Sequence, residues 1–218
     1  VVLSLPAESG PVPFLTPDGS GWQLTLSEQA AVYGLGEMPR GINKRGWHYI
    51  TNNTDESRHS EDKLSFYGAH NFLLMRDGST CFGLFVDFPG KVYYDIGYTR
   101  HDLFSFHTET PDCDLYLLSG ENENAICKEF RTLIGRSYIP PRWAFGLAQS
   151  RWGYKTEEDV REVARQYKEH DLPLDMICMD IDYMQDYADF TVNRERFPDL
   201  AKLSADLKAQ GIRLVPII

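Results

Sequence analysis

The chain has 218 residues, a length that suits one large domain or two smaller ones. Its hydrophobic content of 42% and aromatic content of 13% are enough for a packed core and exclude a disordered chain. The net charge of −10 at pH 7 repels phosphate backbones, which excludes nucleic acid as a partner but does not affect a neutral sugar.

Short strands separated by turns dominate the first half of the chain. Alternating or continuous apolar residues predict strands over residues 22–26, 81–86, 91–96, 103–107 and 115–118. Asp77-Gly78 and Pro89-Gly90 are turn signals between some of them. This pattern indicates a β-sandwich.

A helix is predicted over residues 122–134, before the boundary marked by Pro140-Pro141. Asn122 or Asn124 can cap it, and Gly135 can end it. Its apolar stripe consists of Ile126, Phe130, Leu133 and Ile134.

After Pro141 the pattern changes to alternating strands and helices. Strands are predicted over residues 144–148, 174–179 and 213–218. Thr156 and Asp199 are the predicted N-caps of the two intervening helices, with Gly211 past the end of the second. Such alternation indicates a parallel sheet, either a small open sheet or the start of a (β/α)8 barrel. A barrel fragment would expose an apolar strand edge, so we expect self-association through that edge.

Polar and aromatic residues follow the first two strands of this second half. Trp152 comes after the first strand, and Asp180 and Asp182 come after the second. Functional groups of parallel barrels cluster at the carboxyl ends of strands, and carboxylates with an indole suit a sugar ring. The alternative is structural, because such an Asp often caps a helix and such a Trp often packs in a core.

Four cysteines lie among apolar neighbours and show no metal-type spacing, which predicts small core residues in a reducing compartment. No apolar run is long enough for a membrane span and no signal peptide is visible, so we expect a cytoplasmic protein without membrane contact. We expect neither a metal nor a cofactor, because the sequence has no Gly-rich phosphate loop and no metal-ligand pattern.

Several ordered motifs resemble those of glycoside hydrolase family 31, in particular its α-glucosidases from gut bacteria. The similarity extends from about residue 31 to the end of the chain. The motifs are Tyr33-Gly34-Leu35-Gly36-Glu37, Asn53-Thr54-Asp55, Leu64 through Phe72, Pro141 through Gly146, Ser150-Arg151-Trp152-Gly153-Tyr154, Asp180-Ile181-Asp182-Tyr183-Met184 and Asp189 through Asn193. Asn71 stands where many members have proline.

The resemblance implies a mixed β and α/β fold. A galactose-mutarotase-like β-sandwich would occupy residues 1–135, including a linker helix over 122–134, and an incomplete (β/α)8 TIM barrel would begin over 140–218. The sandwich would contribute Asp55 to sugar binding, although composition alone suggests a solvated loop over residues 51–63. Trp152, Asp180 and Ile181 would bind the glucose or its neighbouring unit, with Asp182 and Tyr183 as support.

The resemblance also implies a retaining exo-α-glucosidase that releases terminal α-1,6- or α-1,4-linked glucose from a small oligosaccharide. Its two catalytic carboxyl groups, about 5 Å apart, would come from later barrel strands beyond Ile218. No residue of this chain is therefore assigned either role, and the piece alone is expected to be inactive. The alternatives are a non-catalytic carbohydrate-binding module and a structural piece with no function of its own.

Overall fold

The computed structural model describes residues 12–16 and 19–218. The chain divides into two compact units, and the division falls between Ser137 and Tyr138. Each unit has its own hydrophobic core and is described separately below.

The first unit is a sandwich of two antiparallel sheets. The strands are β1 (Val12–Thr16), β2 (Gly19–Thr25), β3 (Ala31–Gly36), β4 (Trp47–Thr51), β5 (Ala69–Asp77), β6 (Thr80–Asp87), β7 (Val92–Ile96), β8 (Leu103–Thr108) and β9 (Asp114–Ser119). One sheet has the order β1-β2-β8-β7-β4 and the other β3-β5-β6-β9. The predicted sandwich is confirmed, and all five strands predicted in this half are present with ends shifted by at most three residues.

The core of the sandwich follows from the two-residue period of its strands. In β7 and β8 every second residue is buried, including Tyr94, Phe104 and Phe106. The intervening residues of the same strands are half-buried and form the outer face of the five-stranded sheet. This outer face carries polar and aromatic side chains.

Helix α1 (Glu123–Ile134) packs against β6 and β9. Asn122 caps it by accepting a hydrogen bond from the Ala125 amide at 3.0 Å, and Gly135 ends it with φ +94°, as predicted. A Cβ on Gly83 would lie 2.7 Å from Ile126, so only glycine lets the helix approach β6 this closely. The predicted apolar stripe is only partly used, because Leu133 and Ile134 are exposed.

The second unit is a three-stranded parallel sheet with two helices. Its elements are β10 (Ala148–Arg151), α2 (Glu157–Glu169), β11 (Met176–Met179), α3 (Leu200–Ala209) and β12 (Arg213–Pro216). The predicted caps are confirmed: Thr156 forms a capping box with Asp159, Asp199 accepts from the Lys202 amide, and Gly211 follows α3 with φ +88°. The predicted β-α-β-α-β order is therefore correct.

The strand predicted over residues 144–148 is wrong in position. Residues Arg142–Phe145 form a 3-10 turn after Pro141, and the strand begins only at Ala148. Asp175 explains the late start, because its carboxylate accepts a hydrogen bond from the Leu147 amide at 3.0 Å. Gly146 is packed so closely that a Cβ there would lie 2.0 Å from the same carboxylate.

Two other predictions need adjustment. The second and third strands of this sheet are shorter than expected, at Met176–Met179 and Arg213–Pro216. All four cysteines are free thiols, but only Cys81 is buried, so the expectation that they are core residues is confirmed for Cys81 alone.

Candidate functional site

The parallel sheet of the second unit brings three strand ends to one edge. Arg151 of β10 pairs with Met179 of β11, which pairs with Pro216 of β12. Trp152 and Asp180 are the next residues along β10 and β11, so they lie at the same edge of adjacent strands. This edge is the carboxyl end of a parallel sheet, where such folds place their functional groups.

Asp180 caps the short 3-10 turn Ile181–Tyr183. Its Oδ1 accepts a hydrogen bond from the Ile181 amide at 2.7 Å. Its Oδ2 has no hydrogen-bond partner within the described part of the chain. Tyr183 is buried and donates to the Ile217 carbonyl at 2.7 Å, which ties the turn to the end of β12.

Asp182 and Ile181 differ in how deeply they are buried. Ile181 is 36% exposed at the sheet edge, whereas Asp182 is only 3% exposed. A carboxylate buried within the turn has little surface to offer a ligand. Its Oδ2 has no partner among the described residues, although a buried polar oxygen normally has one.

Trp152 is 69% exposed and presents its indole to solvent. Its neighbours in the chain are held by side-chain contacts. The Arg151 guanidinium donates to the Trp152 carbonyl at 3.2 Å and lies 5.7 Å from the Tyr154 ring. The side chain of Gln149 bonds both Tyr154, at 3.0 Å, and Tyr167, at 2.6 Å. The indole thus extends from a fixed backbone.

Asp55 belongs to the first unit, in the loop over residues 52–68 between β4 and β5. The loop is pinned across its base. The Thr54 amide donates to the Phe66 carbonyl at 2.9 Å, and the Asn53 side chain accepts from the Ala69 amide at 2.8 Å. Asp55 is exposed at the surface of this pinned loop, which agrees with the solvated loop suggested by composition.

Tyr67 is a partner of Asp55 that sequence reasoning missed. Desolvation and a side-chain hydrogen bond to Asp55 raise the pKa of Tyr67 above its usual value. Tyr67 belongs to the motif over residues 64–72, but strand β5 begins only at Ala69, which leaves Tyr67 in the loop. The Gly-Leu-Gly-Glu motif lies beside it, because the Glu37 amide donates to the Gly68 carbonyl at 2.6 Å.

Trp152, Asp180 and Ile181 are therefore brought together at one sheet edge, while Asp55 is held in the separate loop of the first unit. Within residues 12–16 and 19–218, no three His, Cys, Asp or Glu side chains are grouped as metal ligands. In that same part of the chain, no helix has the length and apolar character that crossing a membrane requires.

Two domains of one protein family match the chain, one in each unit. The N-terminal galactose mutarotase-like domain of glycosyl hydrolase 31 matches residues 13–95, and the TIM-barrel domain of glycosyl hydrolases family 31 matches residues 137–218. Together they span most of the chain in the order that the structure shows.

Several relatives with similar sequences are α-glucosidases. Alpha-glucosidase 2 of Bacillus thermoamyloliquefaciens is 40% identical over 195 residues, which are 88% of this chain and 24% of the relative. The alpha-glucosidase of Saccharolobus solfataricus is 26% identical over 195 residues, 89% of this chain and 28% of the relative. The chain spans about a quarter of the length of these relatives.

A solved structure matches this chain over a quarter of its own length. The dextranase of Flavobacterium johnsoniae, complexed with isomaltotriose, superposes with a TM-score of 0.82 at 25% sequence identity. The match covers 93% of this chain and 25% of the dextranase chain.

Proposed function

The chain belongs to glycoside hydrolase family 31, and from this premise we propose that the protein acts as a retaining exo-α-glucosidase. It would release terminal glucose from oligosaccharides with α-1,6 linkages, α-1,4 linkages or both. The observation that carries the proposal is the shared sheet edge of Trp152 and Asp180. The free carboxylate oxygen of Asp180 can accept hydrogen bonds from ring hydroxyls, and the exposed indole can cover the C–H face of the sugar.

Each site residue has a proposed role in binding. Asp180 binds hydroxyls of the glucose unit that is cleaved, and Ile181 forms an apolar wall beside it. Trp152 contacts the glucose or the next unit. Asp55, held by Tyr67 in the first unit, also binds sugar hydroxyls.

The reaction requires two further carboxyl groups, which a retaining enzyme holds about 5 Å apart. One attacks the anomeric carbon and forms a covalent glycosyl-enzyme. The other protonates the leaving oxygen and then activates the water that releases glucose. We assign neither role to Asp55 or Asp180, and we propose that both groups come from the part of the protein that corresponds to the remaining three-quarters of its relatives.

Four free thiols support a reducing environment. We therefore include a cytoplasmic location in the proposal.

The test of the proposed function uses the complete protein. We expect it to release glucose from isomaltose or maltose, and Asp180→Asn to lower kcat/KM by about 10- to 100-fold, because a hydrogen bond to a charged group is lost. Asp171→Asn is the matched control, since Asp171 precedes β11 at the other end of the strand and has φ +53°. Equal kcat/KM for both variants would refute the role of Asp180, and sugar binding without turnover would favour a binding module instead.

Linkage preference has its own test. We propose that Trp152 influences whether an α-1,6 or an α-1,4 linkage fits, because its exposed indole limits the space beside the glucose. The ratio of isomaltose to maltose turnover is expected to change in Trp152→Tyr. An unchanged ratio would contradict this role.

A further inference from the structure

A cavity of about 380 Å³ lies on the outer face of the five-stranded sheet. None of the four residues proposed to bind substrate lines it. The strand register builds its floor from two cross-strand rows. Ile50, Tyr93 and His107 form one row, and His48, Asp95 and Ser105 form the other.

The first row contains the apolar side chain of Ile50 and the stacked rings of Tyr93 and His107. The rings of Tyr93 and His107 are nearly parallel, with an interplanar angle of 6° and centroids 4.7 Å apart. Ile50 pairs with Tyr93 on the other side, and Leu64 joins it because the Ile50 amide donates to the Leu64 carbonyl at 2.9 Å. The two rings are therefore stacked on each other, and together with Ile50 and Leu64 they present an apolar row of side chains to the cavity.

The second row carries polar groups, and its carboxylate, Asp95, already has hydrogen-bonding partners within the protein. The Nε2 of His48 lies 3.1 Å from the Asp95 carboxylate. The same carboxylate accepts hydrogen bonds from the amides of Tyr98 and Thr99. Although desolvation opposes it, these bonds hold the pKa of Asp95 below its usual value. Asp95 therefore stays ionised but is well partnered.

Two hydrogen-bonding groups in the cavity remain available. Neither the Ser105 hydroxyl nor a ring nitrogen of His107 has a hydrogen-bond partner in the described part of the chain. Burial lowers the pKa of His107, so its imidazole is neutral at pH 7 and offers one donor and one acceptor. No Lys or Arg is among the described residues that line the cavity, which disfavours an anionic ligand.

We propose that this cavity is a second carbohydrate site that binds one pyranose ring of a neutral saccharide. The C–H face of the ring lies against the apolar row of Ile50, Leu64 and Tyr93, and its hydroxyls bond Ser105 and His107. The volume falls within the range of small-molecule pockets. The site does not depend on the proposed glucosidase activity, because all of its lining residues belong to the sandwich.

The experiment titrates the 218-residue chain with methyl α-D-glucopyranoside and follows backbone amides by NMR. Saturable shifts are expected at Tyr93, Ser105 and His107. Ser105→Trp fills the cavity and should abolish these shifts, while Tyr93→Phe keeps the ring and should retain them. Circular dichroism checks that each variant is folded. If Ser105→Trp does not fold, the positions of the shifted amides in the wild-type chain test the proposal.

Asp180→Asn and Trp152→Ala are the matched controls, and both should leave the shifts at Tyr93 and His107 unchanged. Shifts confined to Trp152 and Asp180, or no saturable shift at all, would overturn the proposal. Cyclohexanol that binds as tightly as the glucoside would also overturn it, because the cavity would then be merely apolar. Turnover by the complete protein is a separate readout, so either proposal can fail while the other holds.

Discussion

At the scale of single residues, the orientation of Asp55 depends on a neighbour in the same loop. The carboxylate is exposed, and a carboxylate on a mobile loop would lose conformational entropy whenever it bound a sugar. The Thr54 amide and the Asn53 side chain fix the loop, and the Tyr67 hydroxyl interacts with the Asp55 carboxylate. Tyr67 is therefore a positioning residue for Asp55.

Replacing Tyr67 with Phe removes the hydroxyl and keeps the ring. In the complete protein we expect KM for isomaltose to rise by about two- to tenfold while kcat changes little, because one hydrogen bond that orients Asp55 is lost. Steady-state kinetics of the variant and of Asp55→Asn check this. A drop in kcat with constant KM would contradict the positioning role.

At the scale of elements, α1 is joined to the sandwich by an ion pair. The Arg76 side chain of β5 contacts the Glu123 carboxylate in the first turn of α1. Its hydrogen bond lowers the pKa of Glu123 to about 2. Because this pKa is depressed in the folded state, the pair stabilises the fold above the unfolded pKa of Glu, near 4.5, and loses that effect as pH falls toward 2.

Glu123→Gln should therefore lower the thermal midpoint at pH 7 but not at pH 2. The difference between wild type and variant should stay constant from pH 7 to about pH 4.5 and shrink from there toward pH 2, and differential scanning calorimetry at several pH values measures it. Glu121→Gln, just before the helix, is the control. A difference that does not depend on pH would show that the pair is not the cause.

The loop after β11 stores backbone strain. Asp186, Tyr187 and Phe190 have φ values of +52°, +60° and +62°, and Phe190 is 84% exposed. The left-handed region is unfavourable for a bulky residue. The Thr191 hydroxyl holds this conformation through bonds to the Ala188 carbonyl, at 2.6 Å, and the Gln185 amide, at 2.9 Å.

Phe190→Gly should stabilise the chain by about 1 kcal/mol, because the strain is relieved and little buried surface is lost. Urea unfolding of the 218-residue chain measures the change. Asp171→Gly, with φ +53° outside this loop, should give a similar gain. If Phe190→Gly destabilises the chain while Asp171→Gly does not, the Phe190 ring makes stabilising contacts in solution.

Elements with strong local signals were predictable and the others were not. Caps such as Thr156 and Asp199 act within one turn, so the helices of the second unit are predictable from neighbouring residues. Strand β3 escaped prediction because Gly34 and Gly36 are unfavourable in strands, and its pairing with β5 supplies the stability. Tyr67 escaped for a similar reason, since its contact with Asp55 exists only once the loop is closed.

At the scale of the whole molecule, charge opposes association and an open strand edge favours it. Among the described strands, β12 pairs only with β11, so its other edge is free, and Ile217 and Ile218 beyond it are 48% and 70% exposed. The net charge of −10 at pH 7 keeps copies apart. This repulsion vanishes near the pI of about 5.0.

We therefore expect the 218-residue chain to self-associate more strongly at pH 5 than at pH 7. Light scattering at high protein concentration and low salt measures the mass at both pH values. Lysine in place of Val215 on β12 should weaken association, because a charge at a strand edge discourages pairing. A monomer under all of these conditions would contradict the prediction.

The face of the sheet on which Asp180 lies, and with it the proposed sugar binding, depends on the number of residues in β11. Side chains alternate between the two faces of a strand, so the face that Asp180 occupies is set by the even or odd number of residues that separate it from Met176. Inserting a single residue into β11 would leave every chemical group present but turn Asp180 to the opposite face. Two inserted residues would restore the face and displace the carboxylate along the strand by about 7 Å. The proposed role of Asp180 in sugar binding therefore depends on the exact length of this four-residue segment.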